Sequence, residues 1–171
     1  MTFTPRQSGV TMIELVIGLT IAAILATIAA PSFSRFINDT RQSSTITELV
    51  SALNHARSEA IKRNTWVLVC PRDATGNDCG TNWTNGWVVC HVDTSASESC
   101  SASTTDNPNP IAIHQAINLN LTLTGSTAII RFNPNGTQGN GGAATLTLNG
   151  TWSGAQSKVS RIAATGHISR P

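Results

Sequence analysis

Charged side chains are scarce in this 171-residue sequence. Lys, Arg, Asp and Glu make up 12% of it, about half the share of an average soluble domain. The net charge is +2, which excludes a strongly basic nucleic-acid coat and a long acidic tail. Tyrosine is absent, so four tryptophans are the largest side chains available to a core. The polar residues are mainly Ser, Thr and Asn, and the surface should therefore present hydroxyls and amides rather than ions.

The patterns of common catalytic and metal sites are also missing. The sequence contains no HExxH, no GxSxG and no P-loop motif, and its four histidines are scattered. Asp73, Asn77 and Asp78 share one loop, but their spacing does not match an EF-hand, and such residues commonly form turns. The GNGG run at 139–142 precedes no helix, so it indicates a flexible turn. The sequence predicts no enzyme, no metal site and no cofactor.

Four cysteines lie within 31 residues, and none forms a CxxC pair. Zinc sites usually need such close pairs, so two disulfides are favoured over a metal site or free thiols. Disulfides imply an oxidising compartment, such as a periplasm or a cell surface. Spacing leaves three connectivities open. We favour Cys70–Cys79 with Cys90–Cys100, because each pair closes a short loop at a strand end; a cross-strand Cys70–Cys90 pair is the alternative.

Residues 10–30 form an apolar run long enough to cross a membrane as one helix. A cleaved secretory signal peptide is the alternative, since small residues lie near the end of the run. The run is longer than a usual signal core, however, and continues past Pro31 into helical sequence. Its one charged residue is Glu14. Glu14 either lies at the lipid headgroups or meets a cation in an assembly, where pairing lowers the cost of burial.

A second helical pattern follows at 31–64. Apolar residues recur there at steps of three and four, which predicts one buried stripe: Ile46, Leu49, Val50, Leu53, Ala56 and Ala60. Glu59 and Arg63 should form a supportive pair on this helix. Pro31 should kink the long helix rather than end it, because the sequence on both sides is helical. We expect the helix to end near Asn64.

From Thr65 the pattern changes to that of short strands separated by turn residues. We predict about seven strands at 65–171, including 158–164 and 167–170 as a hairpin around Gly166. The expected fold class is α+β: a long N-terminal helix, half membrane segment and half amphipathic, packed on an antiparallel β-sheet head.

Residues 107–171 carry four basic residues and no acidic one. A basic surface without acids is typical of a polyanion binder, although four charges are equally consistent with an ordinary solvated face. The hypothesis is weak, sequence-independent binding of double-stranded DNA by Lys158, Arg161, His167, Arg170 and Arg131.

The segment SGVTMIELVIGL resembles the class III signal of type IV pilins and type II secretion pseudopilins. The resemblance implies that prepilin peptidase removes residues 1–9 by cutting between Gly9 and Val10, and then methylates Val10. It also implies that Glu14 neutralises the terminal amine of a neighbouring subunit. Pro31 falls where pilins often carry a helix-bending proline. The first mature residue of this family is usually Phe, and here it is Val10.

The head resembles the domain shared by the pseudopilin GspH and the minor pilins FimT and FimU. The matching runs are LVCP with a Cys-containing loop, WTNGWVV and IIRFNPNGT. The resemblance implies a minor type IV pilin that supports assembly at or near the pilus tip, with other major and minor pilins as partners. It would be a single-pass inner-membrane protein with a periplasmic head before it enters the pilus on the cell surface. The alternative is a pseudopilin of a type II secretion system, within a periplasmic pseudopilus.

Some FimT proteins bind DNA in natural transformation through a C-terminal GRxR motif. This chain ends TGHISRP, so Gly166 matches, His167 and Ser169 replace the two arginines, and Arg170 stands one place late. The degraded motif leaves DNA binding a prediction rather than an implication of the family.

Overall fold

The computed structural model describes residues 9–74, 76, 78–100 and 109–170. The predicted leader therefore lies outside the described residues, apart from Gly9. A 52-residue helix, α1, runs over Met12–Arg63. It is followed by seven strands: β1 Trp66–Pro71, β2 Trp87–Val92, β3 Ala112–His114, β4 Leu121–Gly125, β5 Ile130–Phe132, β6 Ala144–Gly150 and β7 Lys158–Ile162. A short 3-10 turn at Trp83–Asn85 precedes β2.

Helix α1 ends as the sequence predicts. Asn64 takes a left-handed conformation with a φ of 51°, which amides tolerate better than most side chains. Its backbone N–H donates to the carbonyl of Ile61, and that of Thr65 donates to the carbonyl of Ala60. These two bonds satisfy carbonyls that the end of a helix would otherwise leave unpaired.

The chain divides into two compact units, residues 1–37 and 38–171. In the first unit the described apolar side chains are exposed, apart from the half-buried Ile37, and α1 is long and apolar enough here to cross a membrane. Two of its hydroxyls are satisfied within the helix, since Thr20 donates to the carbonyl of Ile17 and Thr27 to that of Ile24. The helix is continuous through position 31. The kink at Pro31 stays a prediction, and the side chain of Pro31 lies outside the described residues.

The second unit contains two antiparallel sheets rather than the single sheet expected from the sequence. One has the strand order β3-β2-β1-β5 and the other has the order β4-β6-β7. Separate short strands cannot reveal from their own sequences which of them pair, because pairing depends on contacts distant in the chain. The predicted 167–170 strand is reduced to one bridge between Ile162 and Ile168.

The core lies between the amphipathic part of α1 and the inner faces of both sheets. All six residues of the predicted stripe are at most 4% exposed. They join apolar residues of both sheets in one cluster, among them Val67, Val69, Leu146 and Leu148. Alternate residues of β1 and β2 form a second cluster on the other face of the four-stranded sheet: Leu68, Cys70, Val88, Cys90 and Val92. That sheet is thus covered on both faces.

Candidate functional site

The predicted cleavage site lies directly before the first turn of α1. Among the described residues other than its chain neighbours, no atom lies within 4 Å of the Cβ position of Gly9, and Val10 is 72% exposed. The hydroxyl oxygen of Thr11 accepts a hydrogen bond of 3.3 Å from the backbone N–H of Glu14 and so caps the helix. Glu14 is an exposed acid in the first turn, where the helix dipole favours negative charge. A carboxylate so placed is available to a cation on another subunit.

The four cysteines form the favoured disulfides, Cys70–Cys79 and Cys90–Cys100. The Cα atoms are 5.5 and 5.6 Å apart within the pairs, which lies in the usual range for a disulfide. The alternative Cys70–Cys90 pair is therefore wrong. Cys79 and Cys100 pack against the second cluster, on the face of the four-stranded sheet that points away from α1, so the disulfides attach both loops to that face.

Asp78 joins the two disulfide loops. Its Oδ1 accepts hydrogen bonds from the backbone N–H of Cys79, at 2.7 Å, and from that of Cys100, at 2.9 Å. Asp78, Cys79 and Cys100 lie close enough together to resemble a metal site. Both sulfurs are oxidised, however, and a disulfide offers no thiolate ligand. The carboxylate therefore acts as a hydrogen-bond acceptor that couples the loops.

The five residues predicted to bind DNA do not share one surface. Lys158 and Arg170 line a groove beside α1. Arg161 and His167 are exposed but do not line that groove, and strand alternation places Arg161 on the face opposite Lys158. The guanidinium of Arg131 belongs to the other sheet and donates two hydrogen bonds to the carbonyl of Ser97. The sequence predicted a larger basic surface than the structure contains, because residues close together on one strand can point to opposite faces.

Gly166, the matching residue of the C-terminal motif, is fixed by packing. It has a φ of 79° and lies in the turn that returns the chain along β7. A Cβ atom there would overlap the carbonyl oxygen of Gly136, and that oxygen accepts a hydrogen bond of 2.9 Å from Nε of Arg57. This glycine therefore has a structural role that does not involve DNA.

Two polar contacts between α1 and the sheets were not anticipated from the sequence. The first is made by Gln42, which is 1% exposed; its Nε2 donates to the carbonyls of Leu148 and Gln156 at 3.0 and 2.8 Å. Gln42 precedes Ile46 by four residues, so helical periodicity could have placed it on the buried stripe. Gln42 was not predicted to be buried because glutamine is polar and the stripe was defined by apolar residues alone.

The second contact joins β3 to α1 through His114. Its ring stacks on Trp87 with centroids 3.8 Å apart, and its Nε2 lies 2.6 Å from Oε2 of Glu48. Nδ1 lies 2.8 Å from the carbonyl oxygen of Gln115. The contact with Glu48 joins this short strand to the helix, and the stacking on Trp87 holds the His114 ring against β2.

Glu59 is the buried acid at the end of α1. Its side chain is 11% exposed and accepts a hydrogen bond from Nε of Arg63, which confirms the predicted pair. That hydrogen bond, together with the charges of Arg63, Lys62 and His55, lowers the pKa of Glu59 below its ordinary value, although burial opposes the shift. Glu59 is thus an ionised anchor for the helix end.

Family comparisons agree with this architecture. A model described as the prokaryotic N-terminal methylation motif matches residues 4–30, and one described as type II transport protein GspH matches residues 45–166. The chain belongs to the GspH family. Its methylation motif implies processing by prepilin peptidase, and its apolar helix fits membrane anchoring and assembly into a pilus-like fibre. No curated protein sequence matches this GspH-family chain at a significant level.

Two solved structures of the minor pilin FimU from Pseudomonas aeruginosa resemble the GspH-family chain. The crystal form in space group P21 matches with a TM-score of 0.62 and 22% identity, covering 80% of this chain and 92% of FimU. The form in space group P65 matches with a TM-score of 0.57 and 22% identity, covering 75% and 90%. At this identity the likeness establishes the fold alone, which is the predicted pilin-like α+β fold.

Proposed function

We propose that this chain is a minor type IV pilin that supports pilus assembly at or near the tip. The observation that carries the proposal is a methylation-motif segment joined by one continuous helix to a GspH-type head. Prepilin peptidase cuts between Gly9 and Val10 and methylates Val10. Residues 10–30 then hold the protein in the inner membrane, and the disulfide-bonded head lies in the oxidising periplasm until assembly.

Within the fibre, Glu14 accepts the terminal amine of a neighbouring subunit. The support is its position: an exposed carboxylate in the first helical turn, three residues after the capping Thr11. A carboxylate surrounded by apolar helices is costly unless a cation neutralises it, so pairing selects a neighbour in the correct register.

Mass spectrometry of the protein from its native membrane tests the processing step. We expect a chain that begins at methylated Val10. A bulky residue in place of Gly9 should block cleavage, whereas Gly9→Ala should retain much of it. A mature chain that begins near Pro31 would identify a conventional signal peptide and overturn the proposal.

Incorporation into sheared pili tests the assembly step. Glu14→Ala should enter the membrane at the normal level but be lost from the fibre fraction. Thr20→Ala is the matched control, since the Thr20 hydroxyl only donates to the carbonyl of its own helix. Normal incorporation of Glu14→Ala would place Glu14 at the headgroups instead.

A type II secretion pseudopilin is the alternative within the same family, favoured by the description of the matching head model. Deletion of the gene separates the two roles. Loss of pili with normal export of secreted proteins supports the minor pilin, and the reverse supports the pseudopilin.

DNA binding is a second candidate function, supported by the exposed Arg161 and His167 in a segment without acids. Two phosphate contacts give a slope of log affinity against log salt of about −2. We expect Arg161→Ala to weaken binding of a DNA duplex by the full-length protein in detergent, and Arg72→Ala to leave it unchanged. Absence of binding at low salt would leave the structural role alone.

A further inference from the structure

A groove of about 640 Å³ lies between α1 and the C-terminal return of the head, the segment at 167–170 that runs back along β7. Its helix wall combines hydroxyls, one amide and two apolar side chains: Ser43, Thr47, Ser51, Asn54, Ile46 and Val50. Lys158 and Arg170 form the opposite wall. The cavity is open to solvent on the surface of the head, so a ligand can reach it without any opening motion.

Strand geometry brings the two cations together. The antiparallel bridge between Ile162 and Ile168, continued by the bond from the Ser169 N–H to the Arg161 carbonyl, places Arg170 opposite Ser160. Lys158 precedes Ser160 by two residues and points to the same face. Diagonal neighbours of this kind have Cα atoms roughly 7–8 Å apart, which lets two long side chains reach one ligand.

Nothing acidic among the described residues lines the groove or neutralises these cations. Neither Lys158 nor Arg170 takes part in an ion pair within the part of the chain that the structure describes. The acids of the adjoining helix are engaged elsewhere: Glu48 contacts His114, and Asp39 accepts a hydrogen bond from Trp152. The groove therefore has a positive wall that its own head leaves unmatched.

We propose that this groove binds an extended acidic segment of a partner protein. Carboxylates of the segment would meet Lys158 and Arg170 by charge complementarity. Its backbone amides would pair with the hydroxyls and the amide of the helix wall. Ile46 and Val50 line the groove as well, but they are at most 4% exposed, so the segment would contact mainly the polar side chains of the helix wall.

The same composition favours a peptide over nucleic acid. A DNA backbone offers closely repeated phosphates but no N–H groups that could donate to the hydroxyl oxygens of the helix wall. It would be served better by several exposed cations on a convex surface. The groove provides two cations beside a wall of hydroxyls and one amide, which suits carboxylates carried on a peptide backbone. This inference concerns the head alone and is independent of the pilin or pseudopilin role.

Fluorescence anisotropy with the full-length protein in a non-ionic detergent tests the proposal. The probe is a labelled, end-blocked peptide of alternating Glu and Val, and its Gln–Val counterpart is the neutral control. We expect the acidic peptide alone to bind, and more weakly as salt rises. The double variant Lys158→Gln/Arg170→Gln should lose about tenfold in affinity, which corresponds to about 1.4 kcal/mol.

Arg161→Gln is the matched control, because it removes a cation from the opposite face of the same strand and should change affinity less than about twofold. Circular dichroism of each variant verifies folding, and a photoreactive peptide should crosslink to residues 43–54 of the wild-type protein. Equal binding of both peptides, or equal loss in Arg161→Gln, would overturn the proposal. So would a labelled DNA duplex that binds through Lys158 and Arg170 while the acidic peptide does not.

Discussion

Gly166 illustrates how a single residue can look functional in the sequence and prove structural in the fold. It matches one place of a DNA-binding motif, yet its positive φ and its contact with the Gly136 carbonyl explain its presence. Arg57 donates to that same carbonyl from the helix. One helix residue and two glycines thus hold the C-terminal return against the rest of the head.

Gly166→Ala should therefore lower the free energy of unfolding by at least about 2 kcal/mol, since it adds a steric overlap to an unfavourable left-handed conformation. Gly154→Ala is the control: its φ of 84° is similar, but nothing lies within 4 Å of the added Cβ, so about 1 kcal/mol is expected. Denaturant unfolding followed by tryptophan fluorescence measures both. Equal losses would show that the overlap with Gly136 relaxes without cost.

Glu59 predicts a pH dependence of stability. Its pKa is lowered in the folded protein, from an ordinary value of 4.5, chiefly by the hydrogen bond from Arg63. The ionised carboxylate therefore stabilises the fold above about pH 4.5, and this contribution is lost as the pH falls through the lowered pKa. Glu59→Gln should be less stable than wild type at pH 7, and the difference should narrow below pH 4.5.

The exposed Glu98 supplies the control for that measurement, and Glu98→Gln should have little effect at pH 7. Unfolding curves at pH 7 and pH 3.5 decide the matter. If the difference between Glu59→Gln and wild type stays constant with pH, the ion pair of Glu59 with Arg63 does not contribute to stability.

At the scale of elements, α1 is joined to the sheets by one apolar seam that contains the buried amide of Gln42. The seam follows helical periodicity, and Gln42 extends it by one turn towards the N-terminus. Its two hydrogen bonds satisfy carbonyls of β6 and of the loop before β7. A hydrophobic residue at this position would leave both carbonyls without these donors.

Gln42→Leu should cost about 1–3 kcal/mol of unfolding free energy, because buried carbonyls lose their hydrogen-bond donors. Gln115→Leu makes the same chemical change at an exposed position and should be nearly neutral. Thermal unfolding of the two variants in the same detergent compares them directly. If both shift the midpoint equally, Gln42 contributes only packing.

On the scale of the whole molecule, the four-stranded sheet is enclosed between α1 and the two disulfide loops. Three strands that border the sheets are also covered: β4 receives Thr84, β5 pairs with residues 138–140, and β7 pairs with residues 167–169. Covered edges protect a sheet from pairing with other chains. At these three edges, contacts of the head with partners are therefore expected through side chains rather than through backbone pairing.

Removal of the disulfide Cys70–Cys79 by a double change to Ala should lower the unfolding free energy by about 2–3 kcal/mol, because the bond closes a short loop between cysteines separated by 9 positions. Cys90–Cys100 should contribute a similar amount. Non-reducing peptide mapping should recover both bonds from periplasmic protein. A reductant should destabilise wild type but leave a variant without cysteines unchanged; equal responses would show that the loops need no covalent link.

The sequence alone determined the local features, because they are written in short-range patterns. Periodicity of three and four residues placed the buried stripe, Asn64 marked the end of the helix, and alternation with turn residues predicted a series of short strands after Thr65, of which 167–170 is only a bridge. The two disulfides follow the favoured pairing because each joins the end of a strand to a nearby loop. The segment from Gly9 to Glu14 is likewise a local motif, and the family comparison supports its reading.

Only the tertiary structure decided what depends on residues distant in the chain. It divided the strands between two sheets, buried Gln42, and placed Asp78 between two disulfide loops. It also separated Lys158 and Arg170 from Arg161 and formed from the first two the wall of a groove. The physical reason is that a sequence fixes which face of its own element a side chain occupies, whereas the neighbour across that face is chosen by long-range packing.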